Sequence, residues 1–134
     1  MSALPAPRPF VDVETQAFWE ATAAGKLLLK RCDDCATVIW YPKALCPACH
    51  GMATSWFESA GTGVVYSYTV SRRGEGPYRE AAPYALAYLE LDEGPRVMTN
   101  IVDTDLDGVH IGQRVRVVFD DTGEGNALVR FTPA

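Results

Sequence analysis

The 134-residue sequence predicts a mainly β fold, and three observations carry that prediction. Cys32-Asp33-Asp34-Cys35 and Cys46-Pro47-Ala48-Cys49 are two Cys-x-x-Cys pairs separated by ten residues, which suits two metal-binding turns at the end of a short β ribbon. From Trp56 onward apolar residues recur at every second position, the period of strands. Helical spacing is clear only near the N-terminus. Together these predict an N-terminal arm and helix over 1–25, a rubredoxin-like zinc ribbon over 26–55 and a five-stranded OB-fold barrel over 56–134.

Prolines 5, 7 and 9 predict an extended arm, because each fixes φ and disfavours helix before it. Asp12 is placed to cap a helix over 13–24, with Glu14 in the first turn and Gly25 as the stop. Ala17, Phe18, Ala21 and Ala24 share one face by helical spacing, and Trp19 lies about 100° round from Phe18. A helix this short is marginal alone. It must dock on its own chain or on another protein, and its own chain is the expectation.

Leu27-Leu28-Leu29-Lys30-Arg31 reads as a strand entering the first cysteine turn, and Val38-Ile39-Trp40-Tyr41 as the strand leaving it, ended by Pro42. Four thiolates from Cys32, Cys35, Cys46 and Cys49 satisfy a tetrahedral Zn²⁺ at about 2.3 Å and leave no position for water or substrate, so the expected role is structural. Iron is compatible with the same ligands, and the Cys-Pro-x-Cys turn is one that rubredoxin uses; ligand type alone does not choose between them. Disulfides would need an oxidising compartment, and the start of the chain shows no apolar signal region, so reduced thiols and a cytoplasmic location are expected. His50 is read as a surface residue. Lys30, Arg31 and Lys43 flank the metal, where they either offset the charge of the sulfur cage or are solvated.

The barrel strands are expected over 56–70, 84–91, 96–102, 114–119 and 127–131, with Gly61 and Gly63 as bulge or bend points in the first. Val64, Tyr66, Tyr68 and Val70 fall on one face, as do Val115, Val117 and Phe119. Asp92-Glu93-Gly94-Pro95 is a tight hairpin. A long bent strand, a hairpin and two further strands describe a small closed barrel.

Several function classes are disfavoured. No apolar run reaches about 18 residues, so no membrane span is expected. Residues 57–134 carry seven basic and twelve acidic side chains, the wrong sign for a phosphate backbone, which argues against single-stranded nucleic acid despite Tyr66, Tyr68, Tyr84 and Tyr88. Asp103-Thr104-Asp105-Leu106-Asp107-Gly108 opens like a calcium loop, but its twelfth position is Arg114 and not Glu, so it is read as an acidic turn. No nucleophile motif, paired histidine or phosphate-cradling loop is present, and the sequence shows no catalytic set. Arg72, Arg73 and Arg79 fall in the loop after the first barrel strand; Arg114, Arg116 and Arg130 alternate away from Val115, Val117 and Val129. Guanidinium groups suit the phosphates of a nucleotide-containing thioester, with solvated surface arginine as the simpler account.

Several segments, in their order along the chain, resemble the acyl-CoA-associated zinc-ribbon and OB-fold family, long known only as a domain of unknown function. They are Phe18-Trp19-Glu20, Gly25-Lys26-Leu27-Leu28-Leu29-Lys30-Arg31-Cys32, Cys46-Pro47-Ala48-Cys49, Gly61-Thr62-Gly63-Val64-Val65-Tyr66-Ser67-Tyr68-Thr69, Pro83-Tyr84-Ala85-Leu86-Ala87, Leu91-Asp92-Glu93-Gly94-Pro95-Arg96 and Ile111-Gly112. The resemblance spans residues 10 to 132, and departs from the family at Ala36, where Gly is usual. It implies an accessory subunit without catalytic residues of its own, bound to a thiolase-like or aldolase subunit that acts on acyl-CoA thioesters, including those of steroid side chains. On this reading Phe18, Trp19, Trp40 and Tyr41 face the partner, while Tyr66, Tyr68, Arg72 and Arg73 face the acyl-CoA. A free-standing acyl-CoA-binding protein and a single-stranded nucleic-acid-binding barrel are the alternatives.

Overall fold

A computed structural model describes residues 4–134, so Met1, Ser2 and Ala3 of the expected arm lie outside the described residues. The helix α1 runs from Gln16 to Ala23. It starts later than expected because Asp12 closes a separate turn, its Oδ1 accepting from the Thr15 backbone N–H and hydroxyl at 3.0 Å each. Glu14 does not serve the helix dipole; its carboxylate accepts the Ala44 N–H at 2.7 Å and ties the helix start to the ribbon. The buried face is Thr15, Phe18 and Thr22, at spacings of three and four, whereas Ala24 is exposed. At the far end Gly25 adopts φ +73°, and the N–H groups of Gly25 and Lys26 donate to the carbonyls of Thr22 and Ala21, a Schellman stop.

The helix docks on its own chain. The Thr22 hydroxyl accepts the Ala127 N–H at 2.9 Å, and Phe18 is 1% exposed within a core shared with Leu27 and Leu29. Those leucines lead into β1 (Leu28–Cys32), the middle strand of a three-stranded antiparallel sheet with β2 (Val38–Ile39) and β3 (Thr54–Glu58). β2 stops before Trp40 and Tyr41, which turn to pack edge-on against Phe18 at ring separations of 5.5 and 5.7 Å.

The single strand expected over 56–70 is two strands. β3 pairs with β1, from Leu28↔Glu58 to Cys32↔Thr54, and β4 (Thr62–Ser71) opens the barrel. Glycine marks the break: Gly61 has φ +74°, and a Cβ there would lie 2.6 Å from Val117 Cγ1. The barrel closes in the order β4-β5-β6-β8-β7, with β5 (Tyr84–Leu91), β6 (Arg96–Ile101), β7 (Arg114–Asp121) and β8 (Ala127–Pro133). Every pairing is antiparallel except β6 with β8, which meet in parallel at Ile101↔Phe131. The interior is filled by Val65, Leu89, Leu91, Ile101, Val115 and Phe131, each at most 3% exposed. The fold is therefore mainly β, with one short helix, a four-cysteine ribbon and a closed five-stranded barrel.

The two carboxylates of the β5–β6 hairpin have different tasks: Glu93 holds the junction between β3 and β4, and Asp92 ties strands of the barrel together. Between β5 and β6, Glu93 accepts the Ser59 hydroxyl at 2.9 Å and the Ala60 N–H at 2.8 Å, while Asp92 takes the Thr62 hydroxyl and an Arg114 guanidinium N–H at 3.1 Å. The Arg114 hydrogen bonds hold the Asp92 carboxyl below its ordinary 3.8.

Arg130 corrects the expectation of a solvated surface arginine. It points away from the barrel interior, as alternation requires, yet is only 2% exposed. The reason is a cover laid over the outer face of β8: its guanidinium pairs with Asp120 at 2.6 Å and donates to the Pro5 carbonyl and the Tyr78 hydroxyl at 2.9 Å each. The N-terminal arm is thus strapped to the barrel. Among the described residues no helix is long and apolar enough to cross a membrane.

Candidate functional site

The two cysteine turns are built alike. Cys32 and Cys46 are buried, and Cys35 and Cys49 are exposed. Ala36 donates its N–H to the Cys32 carbonyl and His50 to the Cys46 carbonyl, and both residues adopt left-handed φ, +66° and +63°. Ala36 thus takes the backbone conformation for which glycine is usual, and the expected departure leaves the turn intact. His50 holds the matching corner of the second turn and is not a member of the sulfur cluster. Backbone N–H groups of Ala48 and Gly51 point at the Cys46 and Cys49 sulfurs at 3.4 Å.

The four sulfurs lie within 4.8 Å of one another, with Cys32 3.5 Å from Cys49 and Cys35 3.6 Å from Cys46. A tetrahedral ion at 2.3 Å from each sulfur sets edges of about 3.8 Å, so the arrangement fits one. The sulfurs also compete for negative charge. The Thr37 hydroxyl and N–H lower the Cys35 thiol to about 6. Cys49 is pushed up to about 12: the Gly51 N–H works to lower it, but the Cys32 and Cys35 sulfurs beside it raise it further. Four sulfurs this close cannot all carry charge unless a cation sits among them. These four cysteines form a structural metal site. Of the flanking cations, Lys30 is not solvated; its Nζ lies 4.9 Å from the Trp56 ring centre and donates to the Lys43 carbonyl at 3.2 Å. Arg31 stacks on Phe57 at 4.2 Å.

Phe18, Trp19, Trp40 and Tyr41 come together as an aromatic cluster, with Trp19 Nε1 donating to the Tyr41 hydroxyl at 2.8 Å. Burial pushes the Tyr41 pKa above its usual 10, the Trp19 bond acting against it. Phe18 is 1% exposed, so it belongs to the core and offers almost no area of its own as a surface anchor; Thr15, Phe18 and Thr22 are the buried line of the helix. With Trp19, Trp40 and Tyr41, Phe18 lines a groove of about 280 Å³ whose other lining includes Leu86, Met98 and Leu128 on the outside of the barrel. Leu86 and Met98 also line an adjoining hollow with Tyr68 and Tyr88. Tyr88 is 49% and Met98 59% exposed, so the two hollows make one apolar surface.

Tyr66 and Tyr68 do not share a face as expected. The β4–β5 register slips between Val65 and Ser67, leaving Tyr66 as the extra residue of a bulge, while Tyr68 pairs with Ala87. Tyr66 is half-exposed with one ring face covered by the Arg96 guanidinium at 3.8 Å, itself paired with Glu90. Arg72 and Arg73 line a polar hollow with Gly74, Glu75, Gly76 and Arg79. The tyrosine and arginine halves of the expected ligand surface are therefore separate. The Asp103–Gly108 stretch folds as a turn with a short 3₁₀ segment at Leu106–Gly108. Sequence reasoning missed Leu86 and Met98, and named Tyr88 only among the aromatics of the nucleic-acid alternative. The available signal was apolar residues at outward parity on β5 and β6, where a solvated face would be polar.

Comparisons with known proteins agree with this build. Residues 19–53 match the family model described as "ChsH2, rubredoxin-like zinc ribbon domain", and residues 56–120 the one described as "ChsH2, C-terminal OB-fold domain". A "Probable enoyl-CoA hydratase alpha subunit" from Thermomonospora curvata is 35% identical over 128 residues, which are 96% of this chain; the chain spans only 40% of that relative. A "DUF35 domain-containing scaffold protein" from Methanothermobacter thermautotrophicus is 34% identical over 90 residues, 66% of this chain and 68% of the relative. The solved structure named "Ltp2-ChsH2(DUF35) aldolase" contains a chain that superposes with a TM-score of 0.83 at 34% identity, covering 94% of this chain and 98% of that one. Two metal-binding turns of matched geometry, a closed barrel and these matches lead to one conclusion: the chain belongs to the ChsH2-type DUF35 family of zinc-ribbon and OB-fold proteins.

Proposed function

We propose that this chain is a non-catalytic accessory subunit of a complex that processes acyl-CoA thioesters, its partner being a thiolase-like or aldolase subunit that owns the reacting groups. The observation that carries the reading is the exposed apolar surface that runs from Trp19, Trp40 and Tyr41 across Leu86 and Met98 to Tyr88. A patch of large apolar side chains on a rigid barrel is a contact surface, and aromatic anchors dominate the energetics of such contacts. The relatives named as a hydratase alpha subunit, as a scaffold protein and as part of an aldolase support the same role. Zinc is the ion proposed for the four cysteines, because four thiolates close its tetrahedron and leave it a scaffold element. Reduced thiols of this kind suit a cytoplasmic location. On this reading the Arg72-Arg73 loop faces the thioester, while the nucleic-acid alternative has against it the seven basic and twelve acidic side chains of residues 57–134.

Co-expression with a thiolase-like subunit encoded beside this chain should yield a stable heteromer. Met98→Glu and Tyr88→Glu place charge on exposed positions of the apolar surface and should release the partner while both proteins remain folded. Recovery of isolated monomers from the unaltered pair, with partner activity unchanged, would overturn the proposal.

A further inference from the structure

Seven arginines lie in residues 57–134, and the structure sorts them by partner. Arg96, Arg114 and Arg130 are committed to Glu90, Asp92 and Asp120. Among the described residues Arg72, Arg73, Arg79 and Arg116 form no ion pair, and three of these four sit around one hollow in the loop between β4 and β5. Only one carboxylate, Glu75, lines that hollow. Three arginines and one carboxylate around one hollow make a local positive site on a chain whose net charge is -5.

The loop is built to hold that shape. A Cβ on Gly74 would lie 2.0 Å from the Tyr78 carbonyl oxygen, so glycine allows the chain to fold back on itself and return Arg79 to the side of Arg72 and Arg73. The Tyr78 N–H donates to the Glu75 carbonyl at 3.0 Å and the Arg79 N–H to the Gly76 carbonyl at 3.2 Å. Beyond the loop, the Tyr78 hydroxyl accepts from Arg130, which is itself locked to Asp120. The arginines are therefore presented on a braced turn, which lowers the ordering cost of binding an anion.

We propose that Arg72, Arg73 and Arg79 form a clamp for a ligand carrying two or more phosphate groups, as in the nucleotide handle of an acyl-CoA. This deepens, and rests on, the accessory-subunit reading, and adds Arg79 as a binding residue. Planar guanidinium groups take phosphate oxygens in pairs, and a diphosphate offers enough oxygens to engage more than one of them. A monophosphate engages fewer and binds more weakly.

The test titrates the metal-loaded full chain with inorganic pyrophosphate, inorganic phosphate, coenzyme A and dephospho-coenzyme A. Pyrophosphate and coenzyme A should bind more tightly than phosphate, with affinity falling as salt rises from about 0.15 M to about 1 M. Arg72→Gln, Arg73→Gln and Arg79→Gln should each weaken binding roughly tenfold, the scale of one charge-assisted hydrogen bond. Gly74→Ala should weaken it with every charge retained. Metal content and melting temperature should match the unaltered chain in the three arginine variants, since those side chains are exposed. A weaker grip on dephospho-coenzyme A than on coenzyme A would add the ribose phosphate to the ligand. Equal binding of the two would place the clamp on the diphosphate alone. Absence of pyrophosphate and coenzyme A binding, or affinity unchanged in the Arg72→Gln/Arg79→Gln double variant, overturns the clamp. Co-purification of the same variants with the partner separates the two proposals: a clamp that fails while the heteromer persists leaves the subunit reading standing, and the reverse result leaves the clamp.

Discussion

The ribbon and the barrel solve the same problem with different means. The barrel buries Val65, Leu89, Leu91, Ile101, Val115 and Phe131 in one interior, enough apolar surface to exclude water without help. At the outer end of the ribbon the buried cluster is Cys32, Ile39 and Cys46, a single aliphatic side chain between two sulfurs. The β2 strand there is two residues long. So little burial cannot offset the entropy of ordering two turns, and a metal must supply the difference. The inner end of the ribbon is another matter, because Leu29 and Phe18 belong to the same core as the barrel. The ribbon is thus metal-dependent at its tip and barrel-dependent at its base.

That contrast can be broken at either end. Cys46→Ser removes a buried ligand from a type of site whose apparent binding energy is roughly 10–16 kcal/mol. The expected outcome is loss of metal by elemental analysis and loss of hydrogen-exchange protection around Cys32, Ile39 and Cys46, with the amides of β4 to β8 still protected. Protection of the ribbon tip in metal-free protein would sink the distinction.

Phe18→Ala attacks the shared base. It should cost about 3–5 kcal/mol in urea denaturation, because the cavity opens in the core that helix, ribbon and barrel share. An effect confined to the helix, with the barrel transition unmoved, would mean that the core is not continuous. Arg130→Met tests the strap on the barrel's outer face. Leaving the Asp120 charge buried should cost about 3–5 kcal/mol, and Arg130→Met combined with Asp120→Leu should recover most of it. A single variant within about 0.5 kcal/mol of the unaltered chain would show that the pair contributes nothing.

The smallest effect concerns the hairpin that joins the two regions. The Asp92 carboxyl is held below 3.8 in the folded state by Arg114 and Thr62, so its contribution is present above that pH and is lost as pH falls through the folded value. Melting temperature should therefore fall more steeply with acid in the unaltered chain than in Asp92→Asn. Parallel curves would remove the Asp92–Arg114 pair from the account of how the hairpin is fixed to the barrel.

Much of this architecture was legible because it is written locally. The cysteine spacing, the strand over 84–91, the hairpin at 92–95 and the outward parity of Arg130 each depend on a few neighbouring residues. What was misread depended on distant ones. The strand over 56–70 looked continuous because its alternation hardly falters, yet Val117 and Glu90 press on Gly61 and Gly63, and β1 claims residues 54–58. Tyr66 and Tyr68 were placed on one face because a bulge is invisible to a period of two. Phe18 was counted as a surface anchor, and the helix face was assigned to alanines, because spacing alone does not say that Thr22 will meet the Ala127 N–H more than a hundred residues away.

By itself the sequence determined the chemistry of the metal site and the strand inventory of the barrel, since ligand type, turn spacing and side-chain period are properties of short segments. Only the tertiary structure decided which arginines are locked and which face solvent, which aromatics form a wall and which fill the core, and where the ribbon ends. Burial is a property of what covers a residue, and the cover over Arg130 and Phe18 comes from the far end of the chain.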